Sequence, residues 1–167
     1  EAQQKHRSVF RMMSEEYVSL ASIVNNGFPS RPKTQSPYNA FMAVNLSGAV
    51  DKSGIEPVID YSKMVVSKGS LVRVNLLGAV ADAEGVTISY QTLASYPGAS
   101  EDDRVVAVLK TTDGAVLTTQ QSRGSEDTAS MLLPLPDAVK EHVLYAYLLV
   151  LSADMSKASL SVYVEIT

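Results

Sequence analysis

The apolar residues of this chain change their period partway along it, and that change constrains the fold more than any other feature. Up to about Val50 they recur at helical spacing, and from about Val72 to Thr167 they alternate every second position. The tail shows the second pattern most plainly: Ala158, Leu160, Val162, Val164 and Ile166 alternate with Ser159, Ser161, Tyr163, Glu165 and Thr167. A period of two with one apolar face predicts a strand lying on a core. The chain therefore reads as a helical lead-in followed by an all-β region.

In the lead-in, Phe10, Met13, Tyr17, Leu20 and Val24 step by three and four and form one helix face. Asn25-Asn26-Gly27 predicts its end, because Gly or Asn adopts the left-handed conformation past a helix. Pro29 and Pro32 prevent resumption. Ser36 as N-cap with Pro37 at the first helical position starts a second helix. Its face is Tyr38, Phe41, Met42, Asn45, Leu46 and Ala49, fading near Gly48 to Asp51.

Ile55 to Val66 suits an extended segment or edge strand, with Pro57 tolerable at an edge. Strands are predicted over Val72–Val80, Val86–Thr92, Arg104–Lys110, Val116–Thr119 and Ala129–Leu133, the last closed by Pro134 and Pro136. Asp113-Gly114 between two of them is the strongest hairpin signal. His142 to Ser152 is apolar on both faces, as in a strand covered from both sides. The amphipathic helices are the natural second cover. About seven short strands separated by turns indicate a β-sandwich of immunoglobulin or fibronectin type III character. The expected organisation is residues 1–70 as helices and an extended segment packed on the sandwich, and residues 71–167 as the sandwich itself.

Composition narrows the function. Hydrophobic residues make up 46% and charged residues 19% of the 167, enough for a real core. The net charge of -4 argues against a nucleic-acid partner, which needs a basic face. The densest basic group, Arg31 to Lys33, sits in a Pro-rich loop and reads as a solvated connector. Cysteine is absent, so neither a disulfide nor a thiolate site exists. No apolar run approaches the roughly 18 residues that span a bilayer.

Catalytic and metal motifs are missing. His6 and His142, the only histidines, have no carboxylate or second histidine at ligand spacing. They read as an exposed helix residue and a strand-rim residue. No nucleophile elbow, Walker loop or dinucleotide fingerprint occurs, and the chain is expected not to be an enzyme and to need no cofactor or metal. Glu101-Asp102-Asp103 and Ser125-Glu126-Asp127 would offer oxygen ligands to calcium if neighbours, but lack the order of a dedicated loop. The residues best suited to a contact surface are Phe10, Met13 and Tyr17 on the first helix and Tyr96 at a loop tip.

Several words in order carry a resemblance: Ala2-Gln3-Gln4 with Arg7 and Phe10, Gly27-Phe28, Ser36-Pro37-Tyr38-Asn39-Ala40, Asn45-Leu46, Ile59-Asp60-Tyr61-Ser62-Lys63 and Val66-Ser67-Lys68-Gly69. With them the chain resembles an uncharacterised family of unknown function from Gram-negative bacteria. The resemblance implies a Q-rich helix, a fibronectin-like C-terminal region and, ahead of Glu1, a Gly-rich segment that this sequence lacks. It implies no activity.

The expected function is a non-enzymatic structural or interaction protein, a subunit of a surface or extracellular assembly. Its expected partner is protein, including further copies joined through the absent N-terminal segment. The alternative is a module that binds carbohydrate or peptide at the sandwich loops.

Overall fold

The computed structural model describes residues 2–135 and 142–167. The chain is mainly β, with two N-terminal helices followed by antiparallel sheets. Helix α1 spans Ala2–Gly27 and α2 spans Pro37–Gly48. The start of α2 forms as its sequence predicts: Ser36 is the N-cap, its Oγ accepting from the Asn39 amide at 3.1 Å. Pro37 fits the first turn because its missing N–H would find no intrahelical partner there.

On α1 the buried stripe is Val9, Met13, Glu16, Leu20, Ile23 and Val24. It departs from the expected face at the N-terminal end, where Val9 takes the core position and Phe10 is 43% exposed. Gly27 has no positive φ, so the helix does not end in a left-handed turn. The glycine is required by proximity instead: a Cβ there would lie 2.5 Å from the Val66 carbonyl oxygen.

A short hairpin follows, β1 (Val50–Asp51) against β2 (Val58–Ile59), and then a 3₁₀ turn at Tyr61–Lys63. The extended segment is thus shorter than expected. Ile55 is 99% exposed, and Pro57 is buried immediately before β2, an edge strand of this two-stranded sheet. Residues 64–71 then form a strap between the helices and the C-terminal tail. Buried Asn45 accepts from the Val65 amide (2.7 Å) and donates to its carbonyl (2.8 Å), imitating a strand partner. Ser67 Oγ donates to the Ser159 carbonyl (2.8 Å), and the Lys68 amide donates to the Gly27 carbonyl (2.7 Å).

The remaining strands are β3 (Asn75–Ala81), β4 (Gly85–Gln91), β5 (Arg104–Thr111), β6 (Val116–Ser122), β7 (Thr128–Pro134), β8 (Val143–Leu151) and β9 (Val162–Tyr163). They form a three-stranded sheet in the order β3-β4-β7 and a four-stranded sheet in the order β6-β5-β8-β9. Asp113 and Gly114 lie in the turn joining β5 to β6, where the Gly114 amide donates to the Thr111 carbonyl at 3.0 Å. Pro134 is the last residue of β7, while Pro136 lies outside the described residues.

The alternating tail slips by one residue. Ala158 and Ser159 are both buried and Leu160 is 39% exposed. Ser159 causes this: its amide donates to the Val150 carbonyl (2.8 Å) and its Oγ accepts from the Val150 amide (2.9 Å). The hydroxyl replaces a backbone carbonyl in the ladder, so the side chain must face inward. Further on, Thr167 exchanges backbone hydrogen bonds with Ala79 and Ala81 of β3 (3.0 and 3.1 Å). The tail therefore leaves one sheet and seals part of the edge of the other.

Two cores result. Val86, Ile88 and Met131 of the smaller sheet meet Val105, Leu109 and Leu148 of the larger. On the opposite face of the larger sheet, Val106, Val108, Tyr147 and Leu149 pack with Met13, Leu20 and Phe41 of the helices. The layers are helices, four-stranded sheet and three-stranded sheet. Strand β8 is covered on both faces, which explains its doubly apolar sequence.

The strap passes so close to the tail that a Cβ at Gly69 would lie 2.2 Å from the Ala158 carbonyl oxygen. Gly69→Ala is expected to lower stability by about 2 kcal/mol, the usual scale of overpacking. Gly78→Ala, where nothing lies within 4 Å, is expected to stay within about 0.5 kcal/mol. Urea unfolding of the two variants checks this.

Candidate functional site

The polar residue on the buried stripe of α1 organises the junction between helices and sheet. Glu16 falls between Met13 and Leu20 at helical spacing, so burying the stripe buries its carboxylate. Across the interface, Lys110 closes the apolar run of β5 and is buried with it. Lys110 Nζ lies 3.1 Å from Glu16 Oε2 and also donates to Ser19 Oγ at 3.2 Å. Tyr145 of β8 donates to Glu16 Oε2 (3.0 Å) and Tyr61 donates to Oε1 (3.2 Å). Three elements thus converge on one carboxylate.

The tyrosines of this cluster are held neutral. Burial first, and then the negative Glu16, push the Tyr61 phenol up to about 12. The Tyr145 phenol is raised further by the same causes, and Tyr147 is raised by burial and then by Tyr163. Tyr147 donates to the Tyr61 carbonyl, and the Tyr61 and Tyr145 rings lie 5.0 Å apart. The carboxylate, ammonium and phenols all have partners inside the cluster. Such a network fixes the position of α1 over the sheet.

A second buried ion pair sits at one end of the sandwich. Arg123 is 1% exposed, with Nε at 3.2 Å from Asp103 Oδ2, and it donates to the carbonyls of Thr92 and Val72. Burial lowers the guanidinium pKa and Asp103 opposes that shift. The two acidic loops are neighbours here: the Gly124 amide donates to the Glu101 carbonyl (3.0 Å), and the Thr92 amide donates to that of Asp127 (3.0 Å). Asp103 is engaged by Arg123 and by the Ser100 amide (2.9 Å), so it is not free to ligate calcium. Among the described residues no group of three acids or histidines is placed to hold a metal.

The four expected contact residues are not brought together as one surface. Phe10 is exposed on α1, but Met13 is fully buried and belongs to the core beneath the helices, because the stripe that packs runs through it. Tyr17 is half-buried, packed edge-on to Tyr38 at 4.9 Å and donating to Asn25 Oδ1 at 3.0 Å. Tyr96 is 56% exposed on the β4–β5 loop. His6 and His142 are exposed, on α1 and beside the start of β8. Glu16 and Lys110 escaped the sequence reading, although a carboxylate on an apolar helix stripe was the available signal.

The model of a family of unknown function, DUF6266, matches residues 1–165. The chain belongs to that family. No curated protein and no solved structure matches it. The words that carried the resemblance to DUF6266 now have physical roles. Asp60 caps the 3₁₀ turn through the Ser62 amide (3.1 Å) and pairs with Lys63 (3.0 Å). Tyr61 reaches Glu16, Asn45 grips the strap, and Ser67 and Gly69 seat the strap on the tail. Among the described residues no helix is long and apolar enough to cross a membrane.

Glu16→Ala would strand the Lys110 ammonium, at an expected cost of about 3–5 kcal/mol. Tyr145→Phe, which removes one hydrogen bond, should cost about 1–2 kcal/mol. Denaturant midpoints separate the two. The raised phenols also set an alkaline limit. Because the folded Tyr61 phenol titrates at about 12, above the ordinary phenol value of 10.0, its contribution is complete below pH 10 and is lost as pH rises from there through about 12. The urea midpoint measured from pH 8 to 12 should fall over that window, and less steeply in Tyr61→Phe.

Proposed function

We propose that this protein is a non-enzymatic interaction module, a subunit of an assembly, that pairs with a second copy of itself through the outer face of its three-stranded sheet. The sandwich is read as fibronectin type III-like, supported by its antiparallel strands divided three and four between two sheets. The assembly is read as lying at the cell surface or outside it.

One observation carries the interaction reading. Among the described residues, the outer face of the β3-β4-β7 sheet has no covering layer and no charged residue. On β3 the outward positions are Asn75, Leu77 and Val80, with Leu77 and Val80 56% and 55% exposed. On β4 they are Thr87, Ser89 and Gln91, and on β7 they are Thr128, Ser130, Leu132 and Pro134. Val80, Thr87 and Leu132 form one cross-strand row. In a chain with 19% charged residues, a whole sheet face without one is unusual. Interface centres are depleted of charge, whereas solvated sheet faces are not.

Self-pairing fits this chemistry. A two-fold contact brings the same patch from both copies together, so a charge near its centre would meet its own like. The edges offer less. Thr167 covers part of β3, and Gln121 of β6 donates to the Ser130 carbonyl of β7 at 3.0 Å. Strands of seven residues, about 4.8 Å apart and rising about 3.3 Å per residue, give a face of roughly 330 Å². That is small for a stable dimer, so the association should be weak and concentration-dependent.

Sedimentation of the chain over a concentration series tests the proposal. The wild type should shift from monomer towards dimer, and Val80→Lys with Leu132→Lys should remain monomeric with an unchanged urea midpoint. A wild type that stays monomeric at millimolar concentration, or a double variant that associates equally well, overturns it.

A further inference from the structure

We infer that the groove between the α1–α2 loop, α2 and the Lys68–Ser70 strap is a binding site for a small amphiphilic carboxylate. The groove encloses about 620 Å³, within the range of ligand pockets. Its floor is apolar: Phe28, Pro32, Ala40, Ala43 and Val44 line it. Its polar lining consists of Arg31, Lys68, Ser30, Gln35 and Ser70, and includes no acid.

The cations are placed for an anion. Loop residue Arg31 is half-buried, not a solvated connector, because its Nε donates to the Gln35 carbonyl (2.9 Å) and an Nη to that of Phe28 (2.9 Å). These bonds hold the guanidinium rigid and spend only part of its donors. Lys68 is exposed, and neither cation has an ion-pair partner among the described residues. The amides of Gly69 and Ser70 have no acceptor among the described residues. An apolar cleft lined by a held guanidinium and an exposed ammonium, with no competing acid, favours a ligand with an apolar body and one carboxylate. The groove belongs to the helical layer and strap, so this inference is independent of the pairing face.

Methyl NMR of the full chain, titrated with hexanoate, hexanol and hexylamine, tests it. Hexanoate should give saturable shifts at Ala40, Ala43 and Val44, with hexanol at least about tenfold weaker and hexylamine weaker still. Lys68→Glu, at an exposed side chain, should weaken hexanoate at least about tenfold, and Ala43→Phe, which fills the groove from the helix surface, should abolish the shifts. Unchanged spectra elsewhere establish that both variants are folded. Equal binding of hexanol and hexanoate, shifts that do not saturate, or hexanoate binding unaffected by Lys68→Glu would overturn the inference. So would an acetylated tripeptide ending in a free leucine carboxylate that binds more than about tenfold tighter than hexanoate, since the site would then be one for chain termini.

Discussion

Strand β8 presents no face that water would accept. From Tyr145 to Leu151 every residue is buried, so both sides of the four-stranded sheet must be covered. The second sheet covers one side through Ile88, Met131 and their neighbours, and the helices cover the other. Burying apolar area contributes roughly 25 cal/mol per Å², and leaving either side open would forfeit that over the width of β5 and β8. The helices are therefore part of the β fold, and the strap that follows them is what lets a short connection return to the sandwich.

Closing a helical layer on a sheet raises a second demand, because backbone and charged groups caught between layers need partners. The chain answers with side chains that act as backbone. Asn45 pairs with the Val65 peptide and Ser159 with that of Val150, while Glu16 collects Lys110, Tyr61 and Tyr145. Among the described residues no buried side-chain nitrogen or oxygen is left without a hydrogen-bond partner. Two of these clamp residues, Asn45 and Tyr61, lie in the sequence words that carried the family resemblance. Their chemistry is spent on holding layers together, which directs attention for function to the surface: the uncharged sheet face and the groove beside the strap.

Much of the fold was legible along the chain. Ser36-Pro37 starts α2 where a cap and a missing N–H suit a first turn, and Asp113-Gly114 lies in the turn between β5 and β6. These are local devices, decided by residues a few positions apart. The misreadings came where distant partners intervened. Phe10 yielded its core position to Val9, Gly27 proved to be a matter of space near Val66, and the tail slipped phase because Ser159 bonded Val150. The contact surface was the least legible part, since Met13 has the same apolar character whether it faces a partner or the core.

Periodicity alone was enough to divide the chain into helices and strands and to mark β8 as covered on both faces, because hydrophobic period reports the environment of each element directly. The pairing of Glu16 with Lys110, 94 positions apart, depended on how the layers stack. So did the uncharged face, whose residues come from three strands spread between Asn75 and Pro134. Strand register across a sheet is set by contacts between segments remote in sequence. Only the tertiary structure could place those side chains on one surface, as only it brings the α1–α2 loop, α2 and the strap together around the groove.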